Sequence, residues 1–290
     1  MGGNIGLPIL SQDPLPEGGV YVLELSSYQI DLTQSLDCDV AVLLNITPDH
    51  LDRYDGFEAY AASKARLFEM QSPDHDIVAD PDDELVWNFA ARRLESRKQE
   101  HVYWDDDGLA EQKDWPALRG PHNLQNANAA KVTAHLLGIE HAVYAEALST
   151  FPGLPHRMER IRERDGVLFV NDSKATNAEA AAPALAAYRK VRWIVGGQAK
   201  SETLGQTADH LDHVAAAYTI GEAGPMFARL LRDVGVVVIE CETLENAVKR
   251  AAEDSQPGET VLLSPASASF DQYKDFEARG DHFRDLVGAL

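Results

Sequence analysis

The chain has 290 residues, 47 of them acidic and 26 basic, and its formal net charge of −21 argues against a nucleic-acid partner, which needs a basic surface. No apolar run reaches the ~20 residues that cross a bilayer, and the start lacks the basic, apolar and cleavage regions of a secretory signal. Cys38 and Cys241, the two cysteines, are far apart and suggest no disulfide framework, so we expect a cytoplasmic protein without membrane insertion.

Runs of apolar, β-branched residues predict buried strands, in chain order at residues 20–25, 40–44, 167–170, 191–195, 234–239 and 261–263. Helices are favoured by alanine-rich stretches at 178–188, 211–217 and 244–253, and the charged segment 72–114 is expected to add peripheral strands and a helix. Alternating strands and helices predict an α/β protein with a mostly parallel sheet covered on both faces.

A domain boundary is predicted near residues 151–155, because two prolines and a glycine in this stretch end a preceding helix and stiffen a connection. The length of the chain also exceeds the usual size of one domain. We therefore expect one domain over residues 1–153 and a second over residues 154–290.

Polar residues follow five of the predicted strands, at the point where each strand ends. The exits read ELSSYQ, NITPDHLDRY, NDSKATN, GGQAKS and SPASASFDQ, and open α/β sheets bind ligands at the carboxyl ends of their strands. Each loop alone is explained by turn and helix-cap chemistry. Five loops with the same bias, two of them carrying a lysine, favour a ligand crevice between two α/β domains.

Candidate metal ligands lie in the first two exits and on the helix that follows. Glu24 and His50 are a plausible pair for a divalent ion, the carboxylate suiting magnesium, although each residue type alone is more often structural. Lys64, in YAASKARLFE, is by itself most simply a surface lysine whose stem packs along the helix.

Candidate nucleotide contacts lie on either side of the predicted boundary. In GPHNLQNANAA, Asn123 and Asn126 are one turn apart on the same face of a helix, where an amide can pair with an adenine edge; a helix cap is an equally good explanation. In LPHRME, Arg157 can meet a phosphate or stack on a base, with His156 beside it.

The order of these motifs is more specific than any one of them. The sequence resembles the Mur ligases over essentially its whole length, through the ordered stretches ELSSYQ, LNITPDHLDRY, YAASKARLFE, GPHNLQNANAA, GLPHRME, NDSKATN, GGQAKS and SPASASFDQYKDFEARG. The last two are similar to those of the members that add D-glutamate. Folylpolyglutamate synthetases share the architecture, but SPASASFDQ fits them less well.

The resemblance implies a central ATPase domain with a mostly parallel sheet, followed by a Rossmann-like C-terminal domain. The central domain of this family contains a phosphate-binding loop, yet no G-x-x-x-x-G-K-[ST] occurs in the 290 residues, and the uridine-binding domain is also missing. We therefore expect a chain that is truncated within the central domain and has negligible ligase activity by itself.

The reaction implied by the resemblance joins D-glutamate to UDP-N-acetylmuramoyl-L-alanine in peptidoglycan precursor synthesis. ATP phosphorylates the substrate carboxylate, and the amine of D-glutamate attacks the resulting acyl phosphate. Because triphosphate, carboxylate and amino acid are all anionic, two Mg²⁺ ions are expected to neutralise most of the charge. A monomer is expected.

The family's roles fall on residues that match its motifs. Catalytic and metal-binding roles, with Lys64 acting after carbamylation, fall on Glu24, His50 and Lys64. Contacts with ATP fall on Asn123, Asn126, Arg157, Asp172 and Lys174. Contacts with the UDP-linked substrate fall on Asn4 and Ser26, and those with D-glutamate on Asp49, Thr176, Lys200, Ser269 and Phe276, with His156 nearby.

Two other functions stay open at the level of the sequence. One is a different amide ligase of the same superfamily, such as a folate-polyglutamylating enzyme. The other is a non-catalytic protein that binds nucleotide and amino acid without phosphate transfer. Preference for D-glutamate over L-glutamate would separate the first of these from the main hypothesis.

Overall fold

The computed structural model describes residues 1–4, 8–48, 51, 53–94, 102–103 and 112–290. The chain forms two compact units, the first made of Met1–Leu109 with Gln125–Glu146 and the second of Ala110–Leu124 with Ala147–Leu290. The predicted family domains, 1–153 and 154–290, stay a prediction. Among the described residues, no helix has both the length and the apolar composition needed to cross a membrane.

The first unit contains two small parallel sheets and the helices that cover one of them. Strand β1 (Gly2–Gly3) pairs with β2 (Leu23–Glu24), and β3 (Val40–Leu43), β4 (Asp76–Ala79) and β5 (Val102–Tyr103) form the second sheet in that order. The helices that begin in this part of the chain are α1 (Ser27–Leu32), α2 (Phe57–Glu69) and α3 (Glu84–Leu94). Two more, α4 (Pro121–Leu136) and α5 (His141–Thr150), follow.

Both faces of the β3–β4–β5 sheet are covered, because side chains alternate along β4. Ile77 and Ala79 pack in one apolar cluster with buried residues of α2 and α3, including Phe68. Val78 points the other way and packs with Ala129 and Val132 of α4. The apolar, fully buried residues 77–79 of β4 thus match the buried strands expected of a parallel sheet.

The second unit is built on a six-stranded sheet in the order β10–β9–β8–β11–β7–β6. Its pairs are parallel except for β6 with β7. The strands are β6 (Glu159–Arg164), β7 (Val167–Asn171), β8 (Val191–Gly196), β9 (Val214–Ile220), β10 (Val238–Glu242) and β11 (Thr260–Leu263), and the helices are α6 (Ala178–Ala187), α7 (Gly224–Asp233), α8 (Leu244–Asp254) and α9 (Phe276–Ala289).

Alternation along the strands gives this sheet two apolar cores. On one face, Trp193 and Leu262 belong to a cluster with buried residues of α6 and α7. On the other, Ile194 and Val261 pack with buried residues of α8 and α9, such as Phe283. The predicted α/β class, with a mostly parallel sheet covered on both faces, is confirmed, as are the strands at 40–44, 167–170, 191–195 and 261–263.

The prediction of a helix at residues 211–217 was wrong. The 3₁₀ helix Gly205–His213 ends there, and strand β9 begins at Val214 and pairs with β8 on one side and β10 on the other. Three consecutive alanines favour a helix locally. In the sheet, however, the backbone N–H and C=O groups of β9 form hydrogen bonds with both neighbouring strands, and this tertiary context overrides the helix propensity.

Two predicted strands begin or end elsewhere. At 234–239 the apolar run starts too early, because Gly235 has a φ of 85° and closes the end of α7, so that β10 begins only at Val238. At 20–25 the strand is reduced to Leu23–Glu24, since β1 offers only two residues as a partner, and Val20, Tyr21 and Val22 lie exposed.

Candidate active site

The loops that follow β8 and β11 pack against each other at the carboxyl edge of the six-stranded sheet. Gln198 N–H donates to Ala268 O at 2.8 Å, and Ala268 N–H donates back to Gln198 O at 2.9 Å. Gly197, at a φ of 131°, allows this approach, because a Cβ there would overlap the Ala268 carbonyl. Two of the predicted polar exits therefore form one structure.

Arg279 holds the loop after β11 to the loop after β7. Its side chain is 1% exposed, and its Nε and Nη2 donate to Ser173 Oγ and O at 3.0 and 2.9 Å. The guanidinium also donates to Ser267 O at 3.0 Å and to Ala268 O at 3.3 Å. Burial lowers the pKa of Arg279 to about 10, against the opposing effect of Asp271 and Tyr273, so the group is charged at neutral pH.

Asp172 is buried at the end of β7 with its carboxylate fully engaged. Its Oδ1 accepts from Met158 N–H at 3.1 Å, and its Oδ2 accepts from Ser264 Oγ–H at 2.7 Å. Burial raises the pKa of Asp172 to about 7, and the two hydrogen bonds and the charge of Arg157 act in the opposite direction. Asp172 thus gains a proton near neutral pH.

Replacing Asp172 by asparagine should remove a pH-dependent loss of stability. The pKa of Asp172 is raised from 3.8 to about 7 in the folded protein, so between these pH values the folded state keeps a proton that the unfolded state has lost. The free energy of unfolding therefore includes a contribution from this proton that is complete below pH 3.8 and is lost as the pH rises through about 7. We expect Asp172→Asn to gain stability relative to the parent from about pH 5 to about pH 8, by a few kcal/mol at most.

Urea unfolding of both proteins at the two pH values measures this difference. The matched control is Asp165→Asn, which removes an exposed carboxyl group and should leave the difference between the two pH values constant. If the Asp172→Asn difference does not change with pH, the Asp172 carboxyl is ionised in the native protein throughout, and the effect of burial is outweighed by its hydrogen bonds.

His156 is buried beside α9 in a left-handed backbone conformation, with a φ of 62°. Its Nδ1 accepts from Asn171 Nδ2 at 3.0 Å, which leaves the proton of the neutral ring on Nε2, 3.8 Å from Asp281 Oδ1. The ring also lies edge-on to Phe276, with 6.0 Å between the ring centroids. His156 is therefore fixed next to Phe276, and its predicted place near the substrate stays a prediction.

The other predicted contacts of the second unit lie around these loops. Lys174 Nζ lies 4.9 Å from the centre of the Phe276 ring, and Ser173 Oγ donates to Phe276 O at 2.8 Å. Ser269 is 2% exposed, in the loop tied down by Arg279. Thr176 is half-buried and Arg157 exposed. The structure thus brings Asp172, Lys174 and Phe276 together.

Lys200 lines an open pocket of about 720 Å³ after β8 and β9. The pocket is also lined by Arg229 of α7 and by Glu202 and Glu222. Within the described part of the chain, neither Lys200 nor Arg229 forms an ion pair. An exposed ammonium without a carboxylate partner is available to bind an anion, which fits the role predicted for Lys200.

The predicted ligands of the first unit are less closely assembled. Glu24 is exposed at the end of β2, and its carbonyl oxygen accepts from Asn4 N–H at 2.7 Å. Ser26 caps α1, accepting from Gln29 N–H at 3.3 Å. Lys64 Nζ lies 5.1 Å from the centre of the Tyr60 ring. Asp49 and His50 lie outside the described residues.

The described residues fit a metal only in part. They contain no group of three or more His, Cys, Asp or Glu side chains placed to hold an ion, and the Glu24 carboxylate is the one predicted ligand among them that suits magnesium as it stands. The ammonium of Lys64 has no lone pair to offer, so its predicted role depends on carbamylation.

The predicted adenine contacts lie at the start of α4. Asn123 Nδ2 donates to Arg119 O at 3.0 Å, and Asn126 is exposed. This bond to the residue four positions earlier joins the helix to the preceding turn. The structure is thus compatible with both explanations of these amides, as a helix-end contact and as a nucleotide contact.

Comparison with known proteins identifies the family. The sequence matches the Mur ligase middle domain over residues 2–134 and the Mur ligase glutamate ligase domain over residues 156–267. The UDP-N-acetylmuramoylalanine–D-glutamate ligase of Sphingopyxis alaskensis is 52% identical over 295 residues, covering all of this chain and 67% of that protein. The chain belongs to the Mur ligase family. The protein of the same name from Novosphingobium aromaticivorans is 59% identical over 291 residues.

This Mur ligase chain is shorter than the relatives it matches. It spans 66% of the Novosphingobium protein and 65% of the D-glutamate ligase of Zymomonas mobilis, to which it is 56% identical. Its fold is that of solved Mur ligases: the UDP-N-acetylmuramate-alanine ligase of Thermotoga maritima superposes with a TM-score of 0.64 at 14% identity, over 92% of this chain and 64% of that one.

A folylpolyglutamate synthase/dihydrofolate synthase from Yersinia pestis, solved with AMPPNP and a Mn ion, shares the Mur ligase fold. It superposes with a TM-score of 0.61 at 20% identity, over 87% of this chain and 62% of that one. At this identity the likeness establishes the fold alone. The D-glutamate ligases are far more similar in sequence.

Sequence reasoning missed the residues that hold the site loops of this Mur ligase together. Arg279 lies in the quoted stretch SPASASFDQYKDFEARG, and a charged residue on the buried face of an otherwise amphipathic helix was a usable signal. Asn171 and Ser264, which contact His156 and Asp172, directly follow two predicted strands. Neither side chain differs from ordinary turn chemistry until its partner is known.

Proposed function

We propose that this chain carries the catalytic and amino-acid-binding parts of an ATP-dependent ligase that adds D-glutamate to UDP-N-acetylmuramoyl-L-alanine through an acyl phosphate, in peptidoglycan precursor synthesis. The observation that carries the proposal is the convergence of Asp172, Lys174, Ser269 and Phe276 at the carboxyl edge of the second sheet, in a chain 52–59% identical to D-glutamate ligases.

The residues of the second unit suit the two anions that the reaction brings together. Arg157 is a cation whose charge acts on the buried Asp172, and Lys174 Nζ lies over the Phe276 ring. Both cations are assigned to ATP, as are Asn123 and Asn126 of helix α4. Lys200 is assigned to a carboxylate of D-glutamate, and Thr176, Ser269 and Phe276 are assigned to the same amino acid, with His156 next to Phe276. Asp49, in the first unit and outside the described residues, keeps its predicted contact with D-glutamate. The buried loops that Arg279 cross-links keep Lys174 and Ser269 in place for catalysis.

The first unit is assigned to the metals and the acceptor substrate. Glu24, His50 and a carbamylated Lys64 would hold two Mg²⁺ ions, which supply charge neutralisation at the phosphoryl group when bound. Asn4 and Ser26 would contact the UDP-linked substrate. The half-buried position of Lys64 supports the modification, because burial favours the neutral amine that reacts with carbon dioxide. We further propose a monomer in the cytoplasm.

Lys200→Ala tests the assignment of the amino-acid site. Loss of a charge-assisted hydrogen bond should weaken D-glutamate binding about 10- to 100-fold. Binding is measured by two-dimensional NMR titration of the 290-residue chain in the presence of ATP and magnesium, a method that detects weak complexes. The matched control is Lys249→Ala, which removes an exposed lysine of α8 and should leave the affinity unchanged.

L-glutamate in the same titration separates the D-glutamate ligase from a folate-polyglutamylating enzyme. Shifts that are confined to residues around Lys200 and appear with D-glutamate alone support the proposal. Equal binding of both enantiomers, or full D-glutamate affinity in Lys200→Ala, would remove the substrate assignment.

A further inference from the structure

Gln125 forms a polar bridge between the ends of two strands in the first unit. From helix α4, its Oε1 accepts from Asn45 Nδ2 at 2.8 Å, and its Nε2 donates to Asp80 Oδ2 at 2.6 Å. Asn45 comes shortly after β3, and Asp80 directly after β4. One side chain therefore connects α4 to the carboxyl edge of the sheet at two points.

A glutamine meets both requirements of this position. Asp80 is 5% exposed, and its Oδ2 accepts from Gln125 Nε2. Asn45 donates its amide to Gln125 Oε1, so one partner needs a donor and the other an acceptor. A glutamate in place of Gln125 would set a second carboxylate against Asp80, and a leucine would leave Asp80 and Asn45 without this partner.

The segment that Gln125 holds is also held from α3. Asp83 Oδ1 accepts from Val86 N–H at 2.9 Å and so caps that helix, while its Oδ2 accepts from Ile46 N–H at 3.4 Å. The residues directly after β3 are thus attached to the amino-terminal parts of two helices, at Asp83 before α3 and at Gln125 in α4. Four residues further along the chain from Ile46 lies His50, the predicted metal ligand.

We propose that Gln125 is a positioning residue of the ligase. It sets the strand-end segment that leads to Asp49 and His50 relative to helix α4, whose next residue, Asn126, is assigned to ATP. The metal must contact the nucleotide phosphates, so the segment after β3 and helix α4 need a fixed position relative to each other. The Asn45–Gln125–Asp80 bridge fixes that position. This inference rests on the proposed function.

A reversed bridge provides the decisive test. In Gln125→Glu the two carboxylates repel each other, but adding Asp80→Asn restores both hydrogen bonds. In this double variant the new amide at position 80 donates to the new carboxylate at position 125, and Asn45 still donates to the other oxygen of that carboxylate. We expect Gln125→Leu and Gln125→Glu to weaken Mn²⁺–ATP binding about 10- to 100-fold, and the double variant to recover to within about threefold of the parent.

The matched control is Gln71→Leu. Gln71 is a buried glutamine that bridges Cys38 O and Asp76 O at 2.8 and 2.9 Å, at the amino ends of β3 and β4. Its loss costs hydrogen bonds in the same sheet, far from the strand exits, and should leave Mn²⁺–ATP affinity unchanged in the folded protein. A role in stability alone would make Gln71→Leu and Gln125→Leu behave alike.

Binding is measured on the 290-residue chain by equilibrium dialysis of radiolabelled ATP in the presence of excess Mn²⁺. Recovery in the double variant, with Gln71→Leu unaffected, supports the proposal. If the parent binds Mn²⁺–ATP and the Gln125 variants bind it equally well, the positioning role is overturned and the proposed function stands. If the parent does not bind it, the nucleotide assignment fails first and the inference falls with it.

Discussion

Arg279→Met should destabilise the second unit by about 3–5 kcal/mol. The guanidinium is the buried donor shared by the Ser173 carbonyl and hydroxyl and the carbonyls of Ser267 and Ala268. Methionine fills much of the same volume but donates nothing, so these acceptors lose their shared partner in a place water does not reach. The loops after β7 and β11, which carry Lys174 and Ser269, then lose their common attachment.

Urea unfolding of the purified chain measures the loss, followed by tryptophan fluorescence, to which Trp193 in the core of the same unit contributes. Arg279→Lys separates charge from geometry: it keeps the charge but cannot donate in the planar fork that reaches both loops, so it should recover only part of the stability. The control is Arg250→Met on the surface of α8, where an exposed i,i+4 pair with Asp254 should be worth less than about 0.5 kcal/mol.

Equal, small losses in Arg279→Met and Arg250→Met would mean that the loops find other donors, water included, and that Arg279 does not hold the site together. A large loss in Arg279→Met with unchanged D-glutamate affinity in the folded fraction would instead confine its role to stability. The expected result is both a large loss and weaker binding, because Ser267 and Ala268 directly precede Ser269.

The architecture could be predicted because its determinants are local. Strands such as 191–195 and 261–263 are short apolar runs between turn residues, and their buried positions follow from the period of the pattern alone. The polar exits follow by the rule that parallel sheets bind ligands at one edge. The prediction failed at the alanines of β9, whose local preference is for a helix. The strand is stabilised by hydrogen bonds with β8 and β10, which lie elsewhere in the sequence.

The contacts that organise the site could not be predicted for the same reason. Arg279 and Ser173 are separated by 106 positions, and Gln125 and Asn45 by 80. Nothing in the spacing of such residues says that they meet, and a glutamine one residue before a predicted nucleotide contact looks like any helix-surface residue. The sequence shows which side chains can donate or accept hydrogen bonds. Which of them pair depends on the order of the strands in the sheet, which the sequence alone does not give.

Gly280→Ala should be strongly destabilising in the parent and mildly stabilising once His156 is replaced by glycine. An alanine inside a helix is normally favoured over glycine by about 1 kcal/mol. At Gly280, however, the added Cβ would overlap Nδ1 of the buried His156 ring and come within 2.9 Å of its Cγ and Cε1. We expect a loss of about 2–4 kcal/mol, since the ring must move and give up its hydrogen bond with Asn171.

His156→Gly removes the overlap without adding strain, because the backbone of residue 156 has a φ of 62°, which glycine adopts readily. In that background the Cβ added at position 280 occupies part of the vacated space and the helix preference reappears, so the two substitutions should couple by about 3 kcal/mol or more in a double-mutant cycle. Urea unfolding of the four proteins measures the coupling.

Gly288→Ala is the matched control, because Gly288 lies in the same helix and a Cβ added there would meet open space. This substitution should show only the helix propensity of alanine over glycine, about 1 kcal/mol or less near a helix end. Additive effects of Gly280→Ala and His156→Gly would mean that the imidazole has room to turn aside. The missing side chain at Gly280 would then not be what fixes His156 beside Phe276, and the hydrogen bond with Asn171 and the backbone of His156 would do so.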